Sequence, residues 1–173
     1  MSGQEKKSLI QRIEDRLIRI ISIIIGVLLA LMVIIVFSNV VARYFLNASL
    51  AWSEEISRFM LIWLVFLGSV LAYIKNEHLG LDILIIYLPN KISRLVLVLA
   101  NLLVIVAIGI ILRGGWNMTT YTFGSGWTSP ALSIPYGFVY VVVPVSGFLL
   151  LLQSFLKLGE NVSLAIKTLK GDI

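Results

Sequence analysis

Apolar and polar positions divide the chain into four long hydrophobic runs separated by short polar stretches. The runs cover residues 20–42, 57–75, 93–112 and 134–156. A run of about 20 apolar residues is long enough to cross the hydrocarbon core of a bilayer as a helix. The pattern therefore predicts an all-α integral membrane protein, in which residues 1–173 form a single membrane domain with four transmembrane helices.

Two further stretches have an amphipathic pattern. In residues 5–19, apolar positions recur every three or four residues among several Lys and Arg side chains, and residues 79–91 change from polar to amphipathic. Both are predicted to be helices that lie in the membrane interface. The first is expected to lead directly into the first span and to be retained, because no cleavage site followed by a polar mature sequence is present.

Residues 113–133 are predicted to be a connection between spans, because glycine and proline interrupt the apolar pattern. Its aromatic side chains suit either a belt at the headgroup level or a surface packed under another protein, and the sequence leaves both open. Within the fourth span, Pro144 is expected to produce a kink, since it leaves the carbonyl of Tyr140 without its helical donor. The residues that interrupt the apolar pattern in and just after the connection are Gly114, Gly115, Gly124, Gly126, Pro130 and Pro135.

Composition agrees with a membrane protein and removes several kinds of chemistry. Of 173 residues, 59% are hydrophobic and only 13% are charged, and the mean hydropathy is +1.00, outside the range of soluble domains. Cysteine is absent, which excludes disulfides, thiolate metal sites and a cysteine nucleophile. One histidine cannot build a metal site, and no hydrolase or phosphate-binding motif occurs. We therefore expect a protein that is not an enzyme and has no cofactor of its own.

Charge asymmetry predicts the orientation. Eleven Lys and Arg residues lie in the amino-terminal tail, the second loop and the carboxy-terminal tail. Only Arg43, Arg58 and Arg113 fall on the opposite side of the four predicted spans. Because cytoplasmic segments carry an excess of Lys and Arg, both termini are expected in the cytoplasm. The net charge of +5 is thus interpreted as a topology signal, and no nucleic-acid partner is expected.

A charged cluster, defined as Arg43, Glu54, Glu55 and Arg58, separates the first two spans. Ser53 is predicted to cap the second helix, with both glutamates in the first turn, where the helix dipole favours carboxylates. Glu54 and Arg58 are spaced as an i,i+4 ion pair. Arg43 is expected to bond Glu54, Glu55 or a partner subunit. The cluster fits a docking device or an ordinary solvated helix start, and both interpretations stay open.

Polar residues within the apolar runs are candidates for helix contacts. Asn101 is predicted to form a hydrogen bond between helices, because a buried amide in a span needs a partner. His78 is interpreted as a loop residue, and a proton-carrying role is the less favoured alternative. The candidate partner-interface residues are Asn39, Arg43, Trp52, Glu54, Glu55, Arg58, Asn101, Pro130, Pro135 and Pro144.

Several motifs together resemble a known family. They are Asn39-Val40-Val41-Ala42-Arg43-Tyr44, Trp52-Ser53-Glu54-Glu55-Ile56-Ser57-Arg58 with Trp63 and Gly68, Ala72 with His78 and Asp82, and Ser129-Pro130-Ala131-Leu132-Ser133-Ile134-Pro135 with Tyr140 and Pro144. In this order they resemble the small membrane subunit of tripartite ATP-independent periplasmic (TRAP) transporters, the DctQ-like family. The resemblance covers nearly the whole chain.

The resemblance implies a role within a larger complex. A periplasmic binding protein would deliver an organic acid, such as a C4-dicarboxylate or a sialic acid, to a membrane complex in a bacterial inner membrane. A large subunit, here a separate chain, would bind substrate and sodium ions and move as an elevator. The small subunit would brace the fixed scaffold of the large one.

Two other functional classes are weighed against this expectation. A small four-helix exporter of drugs or cations would need a carboxylate within a span, and all nine acidic residues lie outside the apolar runs. A haem-binding membrane anchor of an enzyme complex would need histidine or methionine ligands facing each other across spans. His78, the single histidine, lies in a predicted loop. Both classes are therefore kept as alternatives to the transporter subunit.

Overall fold

The computed structural model describes residues 3–48, 50–75 and 90–170, and its regular elements there are helices. Four of these helices are long and apolar enough to cross a membrane, which confirms the predicted all-α class with four candidate spans. The helices are α1 (Gly3–Phe45), α2 (Ala51–Ile74), α3 (Asn90–Gly124), α4 (Tyr136–Tyr140) and α5 (Val142–Lys170).

Helix α1 joins the predicted amphipathic segment 5–19 and the predicted span 20–42 without a break. It contains 43 residues, or about 64 Å of helix, and its candidate span begins at Glu14. The second predicted interfacial helix, 79–91, lies outside the described residues except for its last two, which begin α3. His78 also lies outside them.

Helix α2 begins earlier than the sequence predicts, so the prediction of Ser53 as its cap is wrong. Leu50 occupies the cap position, and Ser53 lies in the first turn, where its hydroxyl donates to the Leu50 carbonyl at 2.8 Å. The backbone N–H of Leu50 donates instead to Oδ1 of Asn39 on α1, at 3.0 Å. Because α1 supplies this acceptor, the chain can enter α2 without a side-chain cap of its own.

Helix α3 continues through the first part of the predicted connection 113–133, so that prediction is wrong as far as Gly124. The glycines do not break α3 here. Gly115 has no side chain, and this leaves room for the neighbouring helix α5 to pack closely. A Cβ atom on Gly115 would lie only 2.5 Å from Cγ1 of Val143. The hydroxyl of Thr119 donates back to the Gly115 carbonyl at 2.7 Å, so a polar side chain is satisfied within the helix.

The true connection between α3 and α4 is a tight loop of residues 125–135. Thr128 and Pro135 face each other in an antiparallel pair, and the Ser129 N–H donates to the Ile134 carbonyl at 2.9 Å. Ser133 adopts a left-handed conformation with φ of 55°, which an L-residue enters only at some energetic cost. These bonds give the loop a defined shape.

Pro144 interrupts the fourth span, as the sequence predicts. Helix α4 ends at Tyr140 and α5 begins at Val142. Since proline has no N–H, the Tyr140 carbonyl loses its helical donor, and Pro144 falls in the first turn of α5, where proline is tolerated. Helix α5 extends to Lys170, well beyond the predicted end of the span at residue 156.

The long helices form an open row. Helix α1 packs on α2, α2 packs on α5, and α5 packs on α3 along most of its length, while α4 bridges α2 and α3. The buried apolar core of the row is small and contains Ile21, Leu67, Val70 and Val142. Most large apolar side chains of α1 and α3 remain exposed, as expected for a protein that contacts lipid or another membrane subunit.

Candidate partner interface

The charged cluster is held by an ion pair between helices α1 and α2. Nη2 of Arg43 lies 2.9 Å from Oε1 of Glu54, which confirms the expected bond of Arg43 to a glutamate of the cluster. The predicted pairing of Glu54 with Arg58 is wrong, because the packing of α1 on α2 gives Glu54 a closer partner. Both paired side chains are more than half exposed, 56% and 55%, so the bond contributes about 0–1 kcal/mol.

A small cleft opens beside this ion pair, between α1 and α2. It has a volume of about 360 Å³ and is lined by Asn39, Arg43, Ser53 and Glu54, with apolar walls from Val36 and Val40 on α1. Among its polar lining residues, Arg43 and Glu54 are exposed, whereas Asn39 and Ser53 are buried. This combination of exposed charge and apolar walls is typical of a surface that contacts another protein.

Glu55 has a different task from its neighbour Glu54. Its Oε2 atom accepts a hydrogen bond from the Ser129 hydroxyl and a second from the backbone N–H of Ala131 at 3.1 Å. Ser129 is almost completely buried, with 1% of its surface exposed. Hydrogen bonds to an ionised carboxylate are the stronger class, about 1.5–3 kcal/mol each. Glu55 therefore fastens the loop 125–135 to the start of α2.

Aromatic rings complete the packing at this end of the molecule. Phe59 meets Tyr136 edge to face at a centroid distance of 5.7 Å, and Phe123 meets Phe138 in the same way at 5.3 Å. Such pairs add about 0.5–1.5 kcal/mol to their apolar burial. The loop and its flanking helix ends thus pack together next to the charged cluster.

A second polar cluster, consisting of Tyr73, Asn101, Ser154 and Lys157, ties α2, α3 and α5 together. The Tyr73 hydroxyl donates to Oδ1 of Asn101 at 3.1 Å and accepts from the Ser154 hydroxyl at 2.9 Å. Nδ2 of Asn101 donates to the Ser154 carbonyl at 3.3 Å. This network confirms the predicted role of Asn101 in a hydrogen bond between helices.

Lys157 closes the same cluster. Its ammonium group donates to the carbonyl of Tyr73 at the end of α2 and lies 3.9 Å from the centre of the Tyr73 ring. The ammonium group therefore stabilises the carboxy terminus of α2 through the helix dipole, and it also forms a cation–π contact with the Tyr73 ring. About 27 Å of helix separates Tyr73 from Glu55, close to the hydrocarbon thickness of a bilayer of about 30 Å.

Most of the predicted interface residues lie at one end of the row. Asn101 is the exception, because it belongs to the second polar cluster at the opposite end, and Pro144 lies within the first turn of α5. Arg58 is exposed and forms no ion pair with any side chain in the described ranges. The residues gathered at the charged end are Asn39, Arg43, Trp52, Glu54, Glu55, Arg58, Pro130 and Pro135.

Sequence reasoning did not predict the partners of Glu55 and Tyr73. Ser129 lies in one of the motifs that resemble the family. Its local sequence did not indicate a hydrogen bond to a glutamate 74 positions earlier. Ser154 and Lys157 lie on the last part of the fourth apolar run and were not singled out. No three His, Cys, Asp or Glu side chains in the described ranges converge to hold a metal ion.

Comparison with known proteins decides the family. A model described as "Tripartite ATP-independent periplasmic transporters, DctQ component" matches residues 32–164. This chain belongs to the DctQ family. The match includes the charged end of the row as well as the second polar cluster. Because DctQ proteins are permease subunits of transporters, the chain is not an enzyme, and it is a multi-pass membrane protein of a TRAP transporter.

Relatives agree with this assignment. A TRAP transporter small permease protein of Haemophilus influenzae is 34% identical over 122 residues, which are 70% of this chain and 74% of the relative. A second such protein of the same organism is 33% identical over 132 residues, or 75% and 79% of the two chains. The C4-dicarboxylate small permease DctQ of Vibrio cholerae is 29% identical over 94 residues, or 54% and 40%. Other relatives are named for sialic acid and for ectoine.

Proposed function

We propose that this DctQ subunit braces the fixed part of a large TRAP subunit during sodium-coupled uptake of an organic acid. The observation that carries the proposal is the open row of four long helices. Their apolar sides stay exposed, while the side-chain hydrogen bonds between different helices or between helix and loop lie near the two ends. Such a row enlarges the membrane-embedded area of a partner without forming a pathway of its own. The large subunit would bind the sodium ions and the substrate.

The distribution of acidic residues supports a bracing role over transport by the chain itself. In the candidate spans, carboxylates lie only near the ends of the spans, at Glu14 and Asp15, at Glu54 and Glu55, and at Glu160. Coupling of a proton or sodium ion within a span usually requires a carboxylate there. We therefore place ion coupling in the partner subunit and retain no exporter function for this chain.

The proposed orientation places both termini in the cytoplasm of a bacterial inner membrane. The excess of Lys and Arg in the two tails and the second loop supports this orientation. The charged cluster and the loop 125–135 would then face the periplasm together. There they could contact the large subunit or the substrate-binding protein, the two partners that a tripartite family implies.

The substrate class is proposed from the relatives. Their names include a C4-dicarboxylate, a sialic acid and ectoine. For this chain we propose a small organic acid of the first two classes as the cargo. A thermal-shift screen of the associated binding protein against these three compounds would identify it. Stabilisation by ectoine alone would contradict the proposed class.

Reconstitution tests the bracing role directly. The large subunit and the binding protein would be placed in liposomes with and without this chain, and uptake of the organic acid would be measured under an inward sodium gradient. We expect uptake only when the chain is present, and no flux through the chain alone. Full uptake by the large subunit without this chain would refute the proposal.

A further inference from the structure

Arg113 is the one charged residue of α3 between residues 96 and 124, and the function proposed above does not use it. About 18 Å of helix separates it from Asn101, and about 16 Å separates it from Gly124 at the end of α3. Arg113 is exposed and forms no ion pair with a side chain of the described ranges. An exposed cation inside a candidate span is unfavourable unless an anion or water reaches it.

Arg113 lines a groove between α3 and α5. The groove has a volume of about 780 Å³ and is open along one side. Its walls include the rings of Trp116 and Phe148, which are 63% and 64% exposed. A volume of this size is in the range of sites that bind organic molecules.

The polarity of the groove changes along its length. Arg113, Asn117 and Thr120 lie at i, i+4 and i+7 on one face of α3, in the half of the groove towards the loop 125–135. The other end is lined by Gly109 and Leu149 and carries no polar side chain. The groove is therefore amphipathic, with its cation nearer the membrane surface than its apolar end.

We propose that this groove binds one phospholipid, with its phosphate on Arg113 and an acyl chain extending towards Gly109. The guanidinium is a bidentate donor for phosphate, and its side chain can extend towards the headgroup level. A single cation matches the single phosphate of a phospholipid, and the apolar end matches hydrocarbon. A partner protein that places a carboxylate on Arg113 is the competing occupant, and a cross-link from the groove to the large subunit would reveal it. This site goes beyond the bracing function and does not depend on it.

Photo-crosslinking after delipidation tests the site. The complex with the large subunit is purified in detergent without added lipid, and p-benzoylphenylalanine replaces either Phe148, in the groove, or Phe155, which is 57% exposed on the same helix and outside the groove. After irradiation, intact mass spectrometry identifies what is attached. We expect a phospholipid adduct at position 148 and little at position 155, because surrounding bilayer lipid has been removed.

Substitutions of groove residues test whether this adduct arises from specific binding of lipid in the groove. Arg113→Gln should lower the adduct by about tenfold, the value of one charge-assisted hydrogen bond, and Arg113→Lys should restore part of it. Gly109→Leu should also lower it, since a Cβ at Gly109 meets nothing and the side chain fills the groove. Gly114→Leu is the matched control, because Gly114 is equally unobstructed and does not line the groove.

Three results would overturn the proposal. The first is equal lipid adducts at positions 148 and 155, and the second is an adduct that Arg113→Gln and Gly109→Leu leave unchanged. The third is a cross-link from position 148 to the large subunit, which would make the groove a protein contact. A thermal unfolding curve of each preparation verifies that a lost adduct does not reflect a lost fold.

Discussion

Glu54 and Glu55 are neighbours in sequence, yet the structure gives them different surroundings. Glu54 forms an exposed ion pair with Arg43, whereas the half-buried Glu55 accepts two hydrogen bonds from the loop 125–135. Solvent and salt weaken the first interaction. The hydrogen bond from Ser129 to Glu55 is partly buried. If it is lost, the buried Ser129 hydroxyl loses this acceptor. The contribution of a carboxylate here depends on what it contacts.

The two glutamates give the first prediction. Glu55→Gln should lower the free energy of unfolding by about 1–3 kcal/mol, because the charge-assisted bonds to Ser129 and Ala131 weaken. Glu54→Gln is the matched control and should cost less than about 1 kcal/mol. Chemical unfolding in detergent, followed by circular dichroism, measures both. Equal losses would show that the loop is not fastened through Glu55.

The second polar cluster gives a prediction about Asn101. Asn101→Leu should destabilise the protein by about 0.6–1.7 kcal/mol, since it removes the bonds to Tyr73 and to the Ser154 carbonyl. Asn117→Leu, an exposed change on the same helix, should stay within about 0.5 kcal/mol of the parent protein. The same unfolding assay compares them. A neutral Asn101→Leu variant would contradict the role of this network in joining the three helices.

At the scale of elements, α3 is the helix whose length the sequence underestimated. Glycine normally weakens a helix, and Gly114 with Gly115 therefore indicated an end. In the structure, however, the missing side chain of Gly115 lets α5 approach closely at Val143 and Pro144. Small residues have this role at helix contacts in membranes, where close packing replaces the hydrophobic effect as the source of stability.

The two glycines differ in their surroundings, which gives the third prediction. Gly115→Ala should destabilise the protein by about 1–3 kcal/mol, because its Cβ would collide with Val143. Gly114→Ala meets nothing within 4 Å and should be neutral or stabilising by about 0.5–1 kcal/mol through helix propensity. Thermal unfolding of the two variants provides the comparison. If Gly115→Ala were as stable as Gly114→Ala, the close contact of α3 with α5 would be absent.

At the scale of the whole molecule, the open row explains why this protein should act as part of a complex. Much of each long helix stays uncovered, with at most 39% of a candidate span buried, and α1 packs mainly on α2. The polar bonds lie near the two ends, about 27 Å apart along α2, which suits a slab of hydrocarbon about 30 Å thick. This arrangement supports the proposal that the molecule adds membrane-embedded area to a partner subunit.

Orientation is testable because the chain contains no cysteine. A single cysteine introduced by Ser125→Cys should react with a membrane-impermeant maleimide in intact spheroplasts. A single cysteine introduced by Ser2→Cys should react only after lysis, since both termini are expected in the cytoplasm. Mass spectrometry quantifies the labelling. Labelling of the Ser2→Cys chain before lysis would reverse the proposed topology.

Complex assembly is the last prediction at this scale. Arg43→Ala should lower the yield of large subunit that co-purifies with this chain, with little change in its own unfolding, because Arg43 is exposed at the cleft between α1 and α2. Lys167→Ala, in the carboxy-terminal part of the chain, serves as the control. A yield unaffected by Arg43→Ala would mean that the partner does not contact the charged cluster.

Much of this protein could be predicted from its sequence. The four apolar runs, the all-α class and the resemblance to DctQ proteins could be read from the sequence, because hydropathy and local motifs are properties of neighbouring residues. The sequence also indicated that Arg43 and Asn101 need polar partners, without fixing which partner each would bond. Helix ends were predicted less well, since glycine and serine have the same local preferences whether or not another helix lies against them.

Only the tertiary structure decided which distant residues meet. The bond of Glu55 to Ser129, the network of Tyr73, Asn101 and Ser154, and the groove beside Arg113 all join segments that are far apart in sequence. Their formation depends on the order of helices in the row and on the depth of each residue in its span. Local patterns contain no information on either, because the same apolar helices could pack in several arrangements with similar burial.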